Sequence, residues 1–410
     1  MPPADLPDPA IEDYRPAAPG ALPTGSGLVL LGLAIALIAF NLRPALTSPG
    51  PLLSQIMAAY GIETTLAGAL TMVPLLCLGI FGAIAARLGR RFGPERVIFV
   101  SLLVLAAGTA LRGAGPFVWL VVGTTLAGLG IGVVQVLLPA IVKRDFPTRT
   151  GMMTGIYTMM LCLGAAAGAA FAIPLQDTLG SWQLSLGAWA LPALLAALVW
   201  LPQALARQSP PPPPVRPGRL WRDPLAWQVT AFMGLQSCFA YITIALLPLI
   251  LEEGGMAPAR AGYISAASIG TQIVSALFVP SIAARLTDQR AVVVVSVGLA
   301  VAGYLGLLYA PHVLALPVAV VNGLGLGAAL GVALMLIVLR SPDGHVAAEL
   351  SGMAQSVGYV IAAFGPFGAG LLRQASGGWT APTLFFLAIC ALAMAAGWGA
   401  GRNRHVLSTS

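Results

Sequence analysis

The sequence predicts an all-α polytopic membrane protein: twelve transmembrane helices in two pseudo-symmetric six-helix bundles. Three observations predict it. Of 410 residues, 58% are apolar and only 9% charged, at a mean hydropathy of +0.88; a soluble chain needs about a quarter of its residues charged. Apolar segments bounded by Gly, Pro or charge recur twelve times along the chain. The two halves of the chain also repeat one another.

The helices are expected at 27–59, 64–88, 95–113, 116–143, 150–176, 182–205, 224–252, 260–284, 291–310, 313–339, 349–374 and 379–401. The Pro-rich, slightly acidic residues 1–26 lack the basic start and cleavage site of a signal peptide and are expected to form a disordered cytoplasmic tail. Residues 27–205 form the first six-helix bundle and 224–401 the second. Between them 206–223, with five prolines at 210–214 and Arg216 and Arg219 beyond, reads as an extended solvated linker; 402–410 is a cytoplasmic tail.

Charge bias sets the expected topology. With the N-terminus inside, seventeen of the twenty-one Lys and Arg residues fall in inner loops and tails, whereas Arg112, Arg260 and Arg373 fall outside. That is a strong positive-inside signal for both termini in the cytoplasm. The net charge of +7 belongs to these loops and does not indicate nucleic-acid binding. Twenty Arg to one Lys, with abundant Ala, Gly and Pro, is by association the composition of a GC-rich bacterial genome, so the bacterial inner membrane is the expected location.

Four matches carry the repeat. Ile84-Ala85-Ala86-Arg87-Leu88 recurs as Ile282-Ala283-Ala284-Arg285-Leu286, and Gly128–Gly132 as Gly323–Gly327. Gly61…Ala67-Gly68 recurs as Gly255…Ala261-Gly262, and Gly151-Met152 as Gly352-Met353, all in one order at offsets of 194–201. Such order argues for duplication. In parallel six-plus-six repeats the binding site lies at the repeat interface near mid-membrane.

The residue most in need of explanation is Arg43, the sole charge in the apolar run of helix one. A helix rises about 1.5 Å per residue, so Arg43 falls near the middle of a ~30 Å hydrocarbon core. An arginine there costs roughly 2.5–3.5 kcal/mol, which directs it to a wet cavity rather than to lipid. Pro44 removes one helical hydrogen bond, frees the Phe40 carbonyl and biases Arg43 from helical dihedrals. A fixed cation beside loosened backbone suits an anion; pinning of neighbouring helices is the alternative role.

Other polar residues share faces. Helix seven offers Gln236 and Thr243, with Tyr241 to the side; helix eleven offers Ser351, Gln355 and Tyr359 at steps of four. Helix eight shows Ser265, Ser268, Gln272 and Ser275, helix four Gln135, and helix five Thr154, Tyr157 and Thr158. Buried amides and phenols need partners, either a substrate or neighbouring helices. The candidate substrate-binding set is Arg43, Asn41, Gln135, Tyr157, Gln236, Tyr241, Gln272, Gln355 and Tyr359.

The glycine runs lie inside apolar helices, with no strand before them and no Lys-Ser/Thr after, which excludes a phosphate loop and points to close helix packing. Cys77, Cys162, Cys238 and Cys390 have no ligand spacing, so neither disulfide nor metal is expected. All fourteen carboxylates and all three histidines lie towards helix ends or in loops and tails. No cofactor, intramembrane proton relay or catalytic constellation is therefore expected, and a membrane-embedded enzyme is disfavoured.

Gly82-Ala83-Ile84-Ala85-Ala86-Arg87-Leu88-Gly89-Arg90-Arg91 resembles the signature of the inner loop after helix two in the major facilitator superfamily. That pattern carries an acidic residue where Ala86 stands. Arg87, Arg90, Arg91 and the repeat-related Arg285 are the candidate gating residues, expected to clamp helix ends through carbonyls and the negative dipole end.

Five further stretches resemble the cyanate/nitroimidazole transporter (CynX/NimT) family. They are Asn41-Leu42-Arg43-Pro44-Ala45-Leu46-Thr47-Ser48 through Leu53, and Val136-Leu137-Leu138-Pro139-Ala140 through Pro147. Met153 to Thr158, Gly234-Leu235-Gln236-Ser237 with Tyr241, and Leu350 to Tyr359 complete the set. The sequence departs from that family at Gln135, where Asn is expected, and at Arg373-Gln374, where a His-Asp pair is common. The resemblance implies the major facilitator fold and movement of a small anion or small planar polar molecule, cyanate-like or nitroimidazole-like, by alternating access.

The expected partners are a small anionic substrate and the lipid bilayer, with protons as a candidate coupling ion, no nucleic acid, and a monomeric chain. An inside-negative potential favours anion exit by roughly 2.3 kcal/mol per charge per 100 mV, so uptake needs exchange or cotransport. Efflux of neutral drug-like molecules and a transport-dead sensor are the alternatives.

Overall fold

In the computed structural model, residues 25–62, 64–206 and 219–407 are described. The expected tail before residue 25, the proline run at 207–218 and residues 408–410 lie outside the described residues. Among the described residues, twelve helices are long and apolar enough to cross a membrane. These spans are Gly27–Leu52, Val73–Phe92, Pro94–Ala114, Phe117–Asp145, Thr150–Leu179 and Trp182–Leu205 in the first half. Pro224–Leu247, Arg260–Arg285, Arg290–Tyr309, His312–Arg340, Gly344–Ser376 and Thr380–Ala400 make up the second. The twelve expected helices are thus all present as spans of a multi-pass membrane protein.

The spans pack as two related six-helix bundles. In the first, span four lies against spans two and three, and span one against five and six. In the second, span ten lies against eight and nine, and span seven against eleven and twelve. The duplicated glycine runs explain the match. A Cβ on Gly128 or Gly132 would meet span two at Cys77 or Leu78, and one on Gly130 the Ser101 carbonyl of span three. A Cβ on Gly323 or Gly327 would meet span eight at Ser268 or Gln272, and one on Gly325 span nine at Ala300. Small residues let backbones approach where lipid supplies no hydrophobic drive between helices. The bundles meet through spans two and eleven, four and eleven, and five and eight.

Helix one departs from the continuous helix expected over 27–59. It runs Gly25–Asn41, turns at Leu42 and Arg43, resumes as Pro44–Thr47, passes through a 3-10 turn at Gly50–Leu52 and continues as Leu53–Tyr60. Pro44, Pro49 and Pro51 each remove a backbone donor. Ser48 before Pro49 keeps φ −64° and ψ −27°, whereas Pro44 also biases the residue before it away from ideal helical dihedrals. Arg43 accordingly has φ −116°, and its carbonyl accepts from the amides of Leu46 at 2.9 Å and Thr47 at 3.2 Å and from the Thr47 hydroxyl at 3.2 Å.

Arg112 corrects another expectation. It was assigned to an outer loop, but its side chain is buried and its Nη1 donates to the Ala45 carbonyl at 2.6 Å. Gly123 makes room for it, since a Cβ there would touch its side chain. The guanidinium therefore braces the broken stretch of span one from within the first bundle. Gly164 and Gly168 of span five hold the same stretch from the other side, one against the Phe40 carbonyl and the other against Pro44 and Thr47.

Gly164→Val places two methyls and a Cβ on the Phe40 carbonyl. Overpacking of this kind costs about 1–3 kcal/mol, so the variant is expected to melt several degrees below the parent, by static light scattering of the purified protein, whereas Gly270→Ala, with open space at its Cβ, is expected to leave the melting temperature unchanged.

Candidate functional site

The break in span one delivers Arg43 to the interface of the bundles. Its side chain is half-buried. Nη1 donates to the Tyr241 hydroxyl of span seven at 3.2 Å and Nη2 to the Tyr359 hydroxyl of span eleven at 3.3 Å. A cation from the first bundle is thus held by two phenols of the second. Tyr157 of span five lies close enough to interact electrostatically with both Arg43 and Tyr359. No carboxylate contacts the guanidinium among the described residues.

A second layer fixes one of the phenols, Tyr359. Gln135 of span four donates through Nε2 to Gln355 Oε1 at 2.7 Å and to the Tyr359 hydroxyl. Gln355 Nε2 donates back to the Gln135 carbonyl at 3.0 Å and to the Ser351 hydroxyl, one turn away, at 2.7 Å. The steps of four along span eleven place Ser351, Gln355 and Tyr359 on one face, and that face meets Gln135. Gln135, Ser351, Gln355 and Tyr359 are almost fully buried, where an amide without a partner is costly, whereas Tyr241 like Arg43 is half-buried.

Ser356 Oγ lies against Gly82 of span two, but two polar atoms beside the cluster have no partner among the described residues: the Tyr157 hydroxyl and Gln135 Oε1. Together with the Arg43 fork they leave donors and acceptors unspent around one mid-depth position. The fork suits two oxygens of a planar group, because guanidinium donors lie in one plane with a spacing that matches carboxylate-like pairs.

Other expected site residues lie apart from this network. The Asn41 amide donates to Leu37 O, one turn back, at 2.8 Å. Gln236 is buried and donates within its own helix, to the Met233 carbonyl at 3.1 Å and the Ser237 hydroxyl at 2.7 Å. Gln272 is buried with its Nε2 unpartnered among the described residues, and neither it nor Gln236 bonds to Arg43 or its phenols. The stripe on helix eight faces span ten instead: Ser268 donates to Asn322 Oδ1 at 3.1 Å, and the Asn322 amide donates to the Ala300 carbonyl at 3.1 Å. Serines one turn apart on a span join helices more readily than they line a cavity.

The candidate gating residues also separate. Arg90 pairs with Glu349 at 2.5 Å, joining spans two and eleven across the bundles. It therefore meets a carboxylate rather than the expected helix-end carbonyls. Arg91 lies over the ring of its neighbour Phe92, and Arg87 and Arg285 are exposed. Glu349 was missed as a partner because nothing in its local sequence marks which helix it faces. The same end is closed by backbone contact: a Cβ on Gly155 would strike the Leu277 carbonyl, and Gly151 abuts Ala284. At the opposite end Arg373 pairs with Glu253 at 2.5 Å, within one bundle. This bond holds the Glu253 carboxyl below its usual range.

The sequence profile of the Major Facilitator Superfamily matches residues 28–366. The chain is 37% identical to the 2-nitroimidazole transporter of Escherichia coli over 388 residues, covering 93% of this chain and 98% of that protein. It is 32% identical to the cyanate transport protein CynX of Escherichia coli over 365 residues, covering 88% and 94%. The proton:xylose symporter XylE superposes with a TM-score of 0.75 at 12% identity, over 91% of this chain and 94% of that structure, a likeness of fold. With a profile match spanning most of its length, this twelve-span chain belongs to the Major Facilitator Superfamily.

Proposed function

We propose that this transporter moves a small anion, or a small planar polar compound of the cyanate or nitroimidazole kind, across the bacterial inner membrane by alternating access. The observation that carries this reading is the Arg43 guanidinium, shared between Tyr241 and Tyr359 of the opposite bundle with no carboxylate to neutralise it. A buried cation without a counter-ion favours a ligand that supplies negative charge or a strong dipole. Relatives named for 2-nitroimidazole and cyanate transport support the same solute class.

The two phenolic bonds are long, and a hydroxyl accepts weakly compared with an ionised or strongly polar oxygen. A substrate entering the site takes over the Arg43 fork and releases Tyr241 and Tyr359, which uncouples the bundles at mid-depth. Gln135 and Gln355 orient Tyr359, while Tyr157 offers its unspent hydroxyl to the ligand. Asn41 and Gln236 serve their own helices rather than the substrate, and Gln272 stands outside the proposed contact set.

The basic end, cytoplasmic by the positive-inside bias, is shut by Arg90–Glu349 and the glycine contacts of spans five and eight. Rocking of the bundles would break these contacts and open that end. The charged fork of Arg43 favours a small polar solute over a bulky neutral drug.

In proteoliposomes loaded with cyanate or 2-nitroimidazole, Arg43→Ala is expected to lower flux about 10–100-fold, the value of one or two charge-assisted hydrogen bonds; undiminished flux removes the proposal. Tyr359→Phe keeps the ring but removes the shared hydroxyl, and a several-fold change in apparent KM with a smaller change in maximal rate is the expected outcome. Glu349→Gln breaks the closing ion pair. Partly exposed pairs contribute about 0–1 kcal/mol, so up to about a fivefold shift towards the inward-open form is expected, read as faster labelling of a cysteine introduced at the basic end.

A further inference from the structure

The second bundle is entered through a 3-10 turn at Leu220–Arg222 followed by Asp223, whose Oδ1 caps the seventh span by accepting from the amides of Leu225 at 2.7 Å and Ala226 at 3.3 Å. Its other oxygen accepts from the Leu407 amide. The segment after the last span folds back to make this contact. The Gly401 carbonyl accepts from the Gln289 amide at 3.0 Å, and the Val406 amide donates to the Arg340 carbonyl at 2.8 Å. Buried Arg340 in turn donates to the Ala400 carbonyl at 2.9 Å and to Gln289. Residues 401–407 are thereby fixed as a wall rather than a free end.

Between this wall and the start of span seven lies a cavity of about 590 Å³, within the size range of small-molecule sites. Its lining includes Arg219, Arg222, Arg402 and Arg404, with Gln228 among the uncharged residues. Asp223 is the single carboxylate in the lining, and both of its oxygens already serve backbone amides. Four arginines thus line one cavity against a single carboxylate, with the Arg402 Nε also donating to the Gly399 carbonyl at 3.2 Å.

Outside the lining but adjacent to it along the chain are three exposed tryptophans: Trp221, Trp227 and Trp398. Trp221 and Trp227 pack edge to face at 5.7 Å, Trp227 Nε1 donates to the Trp221 carbonyl at 2.8 Å, and the Arg290 guanidinium lies over Trp398. Exposed tryptophans on a spanning protein mark the headgroup level of the bilayer. Basic cavities between helices at the cytoplasmic face suit anionic lipid headgroups.

We propose that this cavity binds a phosphate-bearing anion, supplied by the headgroup of an anionic phospholipid of the surrounding leaflet. The arginines supply fork-shaped donors to the phosphate oxygens, and the tryptophans seat the glycerol backbone and upper chains. Because the walls are the linker's end and the C-terminal segment, an occupied cavity ties both to the start of span seven. This site lies apart from the Arg43 cluster and does not depend on what is transported.

The full-length protein, delipidated in a neutral detergent, is titrated with phosphatidylglycerol or phosphatidylcholine and followed by native mass spectrometry. Retention of phosphatidylglycerol over phosphatidylcholine is expected. The triple variant Arg222→Gln, Arg402→Gln, Arg404→Gln is expected to weaken that retention about a hundredfold, while the corresponding triple Arg→Lys variant keeps most of it. An unchanged melting temperature in phosphatidylcholine checks that both variants fold. Equal retention of the two lipids, or retention unaffected in the Gln variant, overturns the proposal. Soluble glycerol phosphate binding as tightly as the lipid overturns the lipid source and assigns the cavity to a free phosphate compound.

Discussion

An arginine cannot sit at mid-membrane without partners, and much of the arrangement around the bundle interface follows from that constraint. The cost of burying a lone cation is several kcal/mol, and here it is met by hydroxyls rather than by a carboxylate. That choice matters chemically. A carboxylate would neutralise Arg43 and satisfy it, whereas two phenols satisfy its hydrogen bonding and leave its charge uncompensated. Under the proposed function, such a site is satisfied when empty and still complementary to a ligand that brings negative charge.

The two bundles contribute unlike parts to this arrangement despite their matched packing. The first supplies the cation and the broken backbone that presents it; the second supplies Tyr241, Tyr359 and Gln355. The duplicated glycine runs, by contrast, do the same job twice, bringing span four onto spans two and three and span ten onto eight and nine. Packing is alike in the two halves while their polar chemistry differs. Such a division lets each bundle remain rigid as the contacts between them change.

The broken first span illustrates how local strain is stabilised by its surroundings. Prolines remove the ladder bonds, and the exposed backbone groups are taken up by Arg112 at the Ala45 carbonyl and by the Thr47 hydroxyl at the Arg43 carbonyl. Irregular backbone at membrane depth persists only where protein buries it, and Gly164 and Gly168 let span five close over it. At the basic end a different solution applies: arginines there meet carboxylates, carbonyls or open cavity, since water and headgroups lie close by.

Much of the fold was legible in the sequence because the bilayer leaves few choices. Apolar length fixed the spans, arginine distribution suggested their orientation, and ordered repeats at one offset revealed the two bundles. Arg43 was legible for the same reason: a lone charge in hydrocarbon has to be explained. So was the Ser351, Gln355 and Tyr359 face, because steps of four share a side of a helix. What remained for the tertiary structure was direction. Spans apolar on nearly every side carry no signal of which face meets a neighbour, so Gln236 and Gln272 read like Gln135 and Gln355 until packing separated them. The serine stripe of helix eight turned to Asn322, Arg112 went from loop to interior, and Arg90 found Glu349 259 residues away. A single chain lists its polar groups in order, but only the closing of helix against helix decides which of them share a hydrogen bond.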